Sequence, residues 1–372
     1  MKWRLSMKVL ISGGGTGGHI FPALAIADAL KEKNPGIDIL FVGARGKMEM
    51  EKVPKAGYTI KGLWIAGLQR SLTIKNVWVP FKLAFSLIHA FWIILRFKPD
   101  VSVGVGGYAS GPVLFISSLL GIPTLIQEQN SYAGLTNKIL GRRAKKICVA
   151  YKGMEAFFSK DKIVLTGNPV RKELIKVAMM NGKEEKLKMG FDPELPLVLV
   201  VGGSLGARTI NHAIAQGEKF PEWVTGYSIL WQAGQLYIDE FSSLSIAGQS
   251  NIKVVAFIED MAAAYSMADL VVCRAGALTL SEITLTGKPA ILIPSPNVAE
   301  DHQTVNALAL VKEKAAIMIS DDEAVSELLR VVNSLLNNRV KLKTIAEAAA
   351  KLGAAHAGEM IAGEILKLKK DS

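Results

Sequence analysis

The chain has 372 residues, enough for two domains of roughly 100 to 200 residues each. Half of the residues are hydrophobic and 21% are charged, which excludes a globally disordered protein. Two isolated cysteines, Cys148 and Cys273, form neither a disulfide framework nor a metal-binding set, and they indicate a reduced, cytoplasmic compartment.

The net charge of +11 is concentrated in the first half of the chain. Residues 1–170 contain 23 Lys and Arg against 9 Asp and Glu, whereas residues 171–372 contain 21 against 24. A strongly cationic half predicts a nucleic acid or an anionic membrane as its partner. We favour the membrane, because no nucleic-acid-binding motif is recognisable.

The first half alternates short apolar runs with helical patterns. Its start, MKWRLSMKVLIS, lacks a small-residue cleavage site and predicts a first strand rather than a signal peptide. The predicted strands are Lys8–Ser12, Ile37–Val42, Val101–Val105, Thr124–Gln127 and Lys146–Ala150. Helical patterns cover Ile20–Lys33 and Val77–Phe97, and the apolar window Leu83–Leu95 is too short to span a bilayer. This alternation predicts a parallel sheet covered by helices.

A turn at Leu165–Arg171 separates the halves, and the pattern then restarts. The apolar run Leu197–Val201 leads into a second glycine-rich loop, as the first strand leads into its own. Later predicted strands are Ser228–Gln232, Ile252–Ala256, Leu270–Cys273, Ala290–Ile293 and Ala316–Ile319, and the tail Val340–Lys370 is predicted to be helical. The sequence therefore predicts an α/β protein with two Rossmann-like domains, 1–170 and 171–355.

The loop Gly13–Gly18 follows the first strand and opens a helix. Backbone N–H groups at a helix start favour an anion, and glycine permits close approach of a ligand. The G-x-G-x-x-G spacing suits a dinucleotide, but the second strand ends at Phe41–Arg45 without the acidic residue that a ribose requires. A tight turn without a ligand is the alternative. His19 lies at the positive helix start, which disfavours its protonation and suits a general base.

Two loops of the second half are candidate diphosphate sites. In Gly202–Gly206, Ser204 either donates to a phosphate or only caps a turn. In Cys273–Glu282, the N–H groups of residues 277–279 are predicted to point out of a helix start toward a diphosphate. Glu282 either accepts hydrogen bonds from a ribose diol or forms a capping box with Thr279.

Polar residues also lie at predicted loop positions around the junction of the halves. Glu128–Ser131 follows a strand, and Arg171 follows the junction; both are expected to face a cleft between the domains, where Arg171 would neutralise a diphosphate. The loop around Gln303 either binds sugar hydroxyls or is merely solvated.

Together these stretches resemble the MurG family, within glycosyltransferase family 28. The resemblance rests on GGGTGGHIFPALAIA (13–27), GVGGYASGP (104–112), EQNSYAGLTNK (128–138), TGNPVR (166–171), GGSLGARTIN (202–211), FIEDMAAAYSMADLVVCRAGALTLSEI (257–283) and DHQTVNA (301–307). They follow the family's order over nearly the whole chain.

The resemblance implies a GT-B fold, with the final helix, about 356–372, returning to the first domain. It also implies an inverting transferase that needs no metal and no cofactor. The enzyme would move N-acetylglucosamine from UDP-N-acetylglucosamine to lipid I, undecaprenyl-pyrophosphoryl-N-acetylmuramoyl-pentapeptide, and so form lipid II for peptidoglycan. Cell-wall or division proteins would be partners, and the cytoplasmic face of the inner membrane the location.

The resemblance also implies residue roles. The backbone of Ile258 would hold uracil and Glu282 the ribose. The diphosphate would be held by Ser204, Arg171, Ala277, Leu278 and Thr279, with Leu280 and Ser281 completing the donor stretch. The N-acetylglucosamine hydroxyls would be bound by Asn130 and Gln303, and the acceptor side would be lined by Thr16, Gly17, Gly18 and His19. His19 is the first candidate for the base and Glu128 the second. Thr304 replaces a glutamine that the family often carries, which weakens the assignment of sugar contacts to this loop.

An apolar cluster ringed by cations predicts shallow insertion into anionic lipid. It comprises Leu72, Ile74, Val77, Trp78, Val79, Phe81 and Phe85 with Lys75 and Lys82, and a second basic run comprises Lys138, Arg142, Arg143, Lys145 and Lys146. An ordinary core helix with a basic face is the alternative.

Other functions also stay open from the residues alone. They are an NAD-dependent oxidoreductase, a related GT-B enzyme such as a nucleotide-sugar 2-epimerase or a diacylglycerol glycosyltransferase, and a membrane-bound scaffold without activity.

Overall fold

A computed structural model describes residues 7–65, 79–203, 205–298 and 301–370. The chain divides into two compact units. The first runs to Arg171 and takes in the chain from Ala355 onward, and the second is Lys172–Ala354.

The first unit contains a parallel sheet. Within the described residues its strands are β1 (Lys8–Ser12), β2 (Asp38–Ala44), β3 (Thr59–Leu63), β4 (Val101–Gly104), β5 (Thr124–Glu128), β6 (Lys146–Val149) and β7 (Ile163–Leu165). They are arranged in the order β3-β2-β1-β4-β5-β6-β7. The central strands are apolar nearly throughout because helices cover both faces of the sheet.

Helices on the two faces form two separate clusters of the first unit's core. They are α1 (Gly17–Lys33), α2 (Glu49–Lys55), α3 (Val79–Phe97), α4 (Ser110–Leu119), α5 (Leu135–Gly141) and the C-terminal helix (Ala357–Lys370). The C-terminal helix packs on α1 and buries Ile361 and Ile365 among residues of α1 and the strands. The helices α3, α4 and α5 contribute residues such as Ile94 and Leu114 to the opposite cluster. Among the described residues no helix has the length and apolarity required to cross a bilayer.

The second unit repeats the plan with another parallel sheet. Its described strands are β8 (Leu197–Val201), β9 (Ser228–Gln232), β10 (Ile252–Val255), β11 (Leu270–Cys273), β12 (Ala290–Leu292) and β13 (Ile317–Met318). Their order is β10-β9-β8-β11-β12-β13, with β8 and β11 at the centre. This order places the turns after β8 and β11 side by side at the carboxyl edge of the sheet, where ligands of Rossmann-like domains bind.

The helices of this unit are α6 (Gly182–Lys188), α7 (Arg208–Ile214), α8 (Ile238–Ser242), α9 (Met261–Met267), α10 (Ala277–Thr286), α11 (His302–Lys312), α12 (Ala324–Leu336) and α13 (Arg339–Lys351). Trp231 is fully buried in the core that they form with the sheet. Its indole N–H donates a 2.9 Å hydrogen bond to Asn211 Oδ1, so the buried polar group is satisfied.

The predicted α/β fold with two Rossmann-like domains is confirmed. Two edge strands were not predicted from the sequence: β3 is half exposed and contains a lysine and a glycine, and β7 has three residues. The predicted helical tail is two helices, broken after Lys351. At the break, a Cβ atom on Gly353 would lie 2.8 Å from the carbonyl oxygen of Thr284, so the chain needs glycine to pass α10.

Candidate functional site

The turn between β1 and α1 has a backbone shape that requires glycine. Gly14 and Gly15 have φ angles of +144° and +92°. Thr16 is the N-cap of α1, and its carbonyl accepts the N–H groups of His19 and Ile20 at 3.1 and 3.2 Å. The predicted acceptor-side residues Thr16, Gly17, Gly18 and His19 therefore lie together in the first turn of one helix.

The ring of His19 is oriented by a main-chain oxygen. Its Nδ1 lies 3.0 Å from the carbonyl oxygen of Val105, which follows β4. Because a carbonyl only accepts hydrogen bonds, Nδ1 carries the proton and Nε2 is the proton acceptor of the neutral ring. Burial lowers the pKa of His19, and the opposing effects of the Glu128 and Glu49 carboxylates are smaller. The ring is therefore neutral at neutral pH, as a general base requires.

Glu128 ends β5 and is buried, and the loop that follows engages both of its oxygens. Oε1 accepts from the main-chain N–H of Asn130 at 3.0 Å and from its side-chain amide at 3.3 Å. Oε2 accepts from Gly134 N at 3.1 Å and from Asn137 Nδ2 at 2.8 Å. The Glu128 carboxylate already accepts four hydrogen bonds, which leaves no free lone pair for the proton that a general base would accept. Of the two predicted bases, the geometry therefore favours His19, and Glu128 holds the loop that carries Asn130.

Glu49 is a buried carboxylate of this region that was not predicted from the sequence. Its side chain accepts hydrogen bonds from the N–H groups of Gly15 and Ala44. No local pattern distinguishes it, since it is one of two glutamates in the run GKMEMEK at residues 46–52. The N–H of Gly15 is thus occupied by an acceptor within the protein, and anion binding by the helix start stays a prediction.

Arg171 belongs to the first unit and lies against α1. Its guanidinium group stacks over the ring of Phe21, 4.8 Å from the ring centroid. An arginine held in this way keeps its charge in a defined position. Its assignment to the diphosphate stays a prediction.

The start of α10 has the predicted geometry. Gly276 is the N-cap, and Leu280 N donates the first intrahelical hydrogen bond, 3.0 Å long, to Gly276 O. The N–H groups of Ala277, Leu278 and Thr279 precede that bond and point out of the helix start. Ser281 Oγ donates to Ala277 O at 2.9 Å inside the helix. The capping-box alternative is wrong, because Gly276 rather than Thr279 is the N-cap.

Glu282 lies further along α10 and is buried, with 4% of its surface exposed. Its Oε2 accepts a 3.1 Å hydrogen bond from the hydroxyl of Tyr265, on α9. This bond orients the carboxylate, as hydrogen bonding to binding residues commonly does. The oriented carboxylate can accept hydrogen bonds from a diol.

Ile258 follows β10, and its N–H donates to Gln232 Oε1 at 3.1 Å. The amide of Gln232 in turn donates to Gly203 O at 2.8 Å, which links this stretch to the glycine loop after β8. Because the N–H of Ile258 already donates to Gln232, only the carbonyl oxygen of its backbone is left to bind a nucleobase. Ser204, predicted for the diphosphate, lies outside the described residues.

Gln303 lies in the first turn of α11. Its Oε1 accepts from Ser295 N at 2.9 Å and ties the loop to the helix. Thr304, the departure from the family pattern, donates its hydroxyl to Asp301 Oδ1 at 2.7 Å, so it stabilises the same helix start. Among the described residues no His, Cys, Asp and Glu side chains group to form a possible metal site.

Two parallel sheets with glycine-rich turns at their carboxyl edges are typical of Rossmann-like proteins that bind nucleotides. Models of the glycosyltransferase family 28 N-terminal and C-terminal domains match residues 9–149 and 197–361. The chain therefore belongs to glycosyltransferase family 28, and the predicted family and enzyme class are confirmed.

Curated relatives cover nearly the whole chain. One from Phocaeicola vulgatus is 53% identical, covering 98% of this chain and 96% of its own, and one from Flavobacterium psychrophilum is 50% identical, covering 97% of each. Both are named UDP-N-acetylglucosamine–N-acetylmuramyl-(pentapeptide) pyrophosphoryl-undecaprenol N-acetylglucosamine transferase. The crystal structure of MurG from Acinetobacter baumannii is 32% identical, with a TM-score of 0.77, covering 97% of this chain and 99% of its own.

Proposed function

We propose that this protein transfers N-acetylglucosamine from UDP-N-acetylglucosamine to the 4-hydroxyl of the N-acetylmuramoyl sugar of lipid I, with inversion at the anomeric carbon. The observation that carries the proposal is the hydrogen bond between His19 Nδ1 and Val105 O, because it leaves Nε2 as a proton acceptor. Inversion requires one such base, acting on the attacking hydroxyl. The names of relatives about half identical to the chain supply the two substrates.

The second unit binds the donor. The carbonyl of Ile258 accepts from the uracil, and Glu282, oriented by Tyr265, accepts from the ribose diol. The N–H groups of Ala277, Leu278 and Thr279 hold the diphosphate, and Leu280 and Ser281 continue this binding helix. Ser204 also binds the diphosphate, and Gln303, in the first turn of α11, binds the sugar hydroxyls.

The chemistry follows from fixed charges and dipoles. The attacking hydroxyl loses its proton to His19 Nε2 as its oxygen bonds to the anomeric carbon, and the bond to the diphosphate oxygen breaks. Negative charge grows on the leaving UDP. The N-terminus of α10 is already aimed at that charge, so it stabilises the transition state without reorganisation.

Membrane docking of the first unit accounts for its positive charge. Along α3, Phe81, Phe85, Ile88 and Trp92 are exposed at spacings of four, three and four residues, which places them on one helix face. Lys82 lies over the ring of Trp64. An apolar stripe flanked by cations suits shallow insertion into anionic lipid, and we assign this face to the cytoplasmic surface of the inner membrane. Of the predicted cluster, residues 72–78 and the side chain of Val79 lie outside the described part of the chain.

A transfer assay with UDP-N-acetylglucosamine and a short-chain lipid I analogue tests the proposal. We expect His19→Ala to lower kcat by about 10²- to 10⁴-fold, the usual contribution of a general base. His356→Ala is the matched control, because His356 is exposed and has no assigned contact with either substrate. Wild-type protein that binds UDP but transfers nothing to the lipid acceptor would contradict the proposal, as would full activity of His19→Ala.

A further inference from the structure

Glu49 links the ends of two neighbouring strands. It opens α2 and is 1% exposed. Its Oε2 accepts from Gly15 N and its Oε1 from Ala44 N, both at 2.9 Å. One carboxylate therefore ties the glycine turn after β1 to the last residue of β2, with each oxygen used by a different segment.

Two glycines make room for this carboxylate. A Cβ atom on Gly14 would lie 2.2 Å from Glu49 Oε1, and one on Gly43 would lie 2.5 Å from Glu49 Cγ. Either contact is far inside the van der Waals distance, so any other residue at these positions would displace Glu49. Glu49 can therefore occupy this position only because Gly14 and Gly43 have no side chains.

The glycine turn continues this chain of contacts to His19. A Cβ atom on Gly107 would lie 2.2 Å from the carbonyl oxygen of Gly14, so the turn packs directly on the backbone after β4. A Cβ atom on Gly106 would lie 2.7 Å from His19 Nδ1, and the preceding residue, Val105, supplies the oxygen that orients the ring. A shift of the turn therefore moves the groups that hold His19.

We propose that Glu49 is a positioning residue of the acceptor site, fixing the glycine turn and, through residues 105–107, the orientation of His19. This inference rests on the proposed function. Small displacements matter in such a site, since about 1 Å of misplacement can lower a rate by about a hundredfold.

Glu49 also places negative charge near the base. The charged groups that face His19 are the carboxylates of Glu128 and Glu49, and each favours the protonated ring against the effect of burial. Removal of the Glu49 charge should lower the pKa of His19 further. This effect separates Glu49 from a residue that only maintains the fold.

Glu49→Gln in the full chain is the central test, with the lipid I analogue as acceptor. The glutamine places an NH₂ group against one of the two N–H donors, so one hydrogen bond is lost. We expect kcat/KM for the acceptor to fall about 10- to 100-fold, with UDP affinity within about twofold of wild type. The acid limb of the pH profile should move to lower pH. Glu51→Gln is the matched control, because Glu51 is exposed on the same helix and pairs with Lys55.

Glu49→Asp separates position from charge. It keeps the carboxylate but is one methylene shorter. We therefore expect kcat/KM for the acceptor to fall while the acid limb of the pH profile stays at its wild-type position. If Glu49→Gln no longer binds UDP, the acceptor kinetics of Glu49→Asp test the positioning role instead. Wild-type acceptor kinetics in Glu49→Asp or in a UDP-binding Glu49→Gln would overturn the inference. Wild-type protein without any transfer would instead refute the proposed function.

Discussion

Glu128 and Asn137 are joined by a 2.8 Å hydrogen bond from the asparagine amide to the carboxylate Oε2, across the loop that connects β5 to α5. Together with the bonds to Asn130 and Gly134, this bond makes Glu128 the anchor of residues 129–137.

Glu128→Gln should therefore impair transfer without removing the catalytic base. The glutamine amide group cannot accept all of the hydrogen bonds that the loop donates, so the loop is released. The family resemblance assigns Asn130 of this loop to the donor sugar. We therefore expect kcat/KM for UDP-N-acetylglucosamine to fall about 10- to 100-fold through misplacement of Asn130. The acid limb of the pH profile should persist and move to lower pH, because a negative charge that raises the pKa of His19 is lost. Loss of the limb in this variant, with the exposed Glu155→Gln unchanged, would identify Glu128 as the base.

Tyr265→Phe should weaken donor binding selectively. It removes the hydroxyl that orients Glu282, a hydrogen bond to a charged group worth roughly 1.5 to 3 kcal/mol, or about 10- to 150-fold in affinity. We expect the dissociation constant for UDP, measured by calorimetry, to rise within this range while acceptor binding stays unchanged. Tyr237→Phe, on the same unit, is the control. Unchanged UDP affinity in Tyr265→Phe would contradict the assignment of Glu282 to the ribose.

Trp92→Ser with Phe85→Ser should reduce binding to anionic vesicles. Both side chains are more than half exposed on one face of α3, with Trp92 at 57%, and their transfer into lipid contributes affinity in proportion to apolar area. We expect at least a tenfold loss in a sedimentation assay with phosphatidylglycerol vesicles, and release of the wild type in high salt. Leu236→Ser is the control, because Leu236 is an apolar residue of the second unit that is more exposed still, at 70%. Equal binding by both variants would locate docking elsewhere.

Much of the fold was predictable from the sequence because its signals are local. The central strands, buried on both faces, appear as continuous apolar runs such as LVLVV at 197–201, whereas the partly exposed edge strands β3 and β7 lack that signal. Gly13–Gly18 predicted a strand-to-helix turn correctly, since positive φ angles restrict the residue type at the position itself. The residue pattern alone did not predict the break in the C-terminal tail, which only the family resemblance implied, because Gly353 is required by contact with α10, which lies far away in sequence.

The sequence by itself determined the two-unit α/β plan, the family and the helix start at Ala277, all of which depend on local pattern or on the order of motifs. Tertiary structure decided which ring nitrogen of His19 bears the proton, which donors surround the Glu128 carboxylate, and that Glu49 binds the glycine turn. The physical reason is distance along the chain: the bond from His19 to Val105 spans 86 residues and the bond from Gly15 to Glu49 spans 34. Such partners are brought together only when the sheet forms.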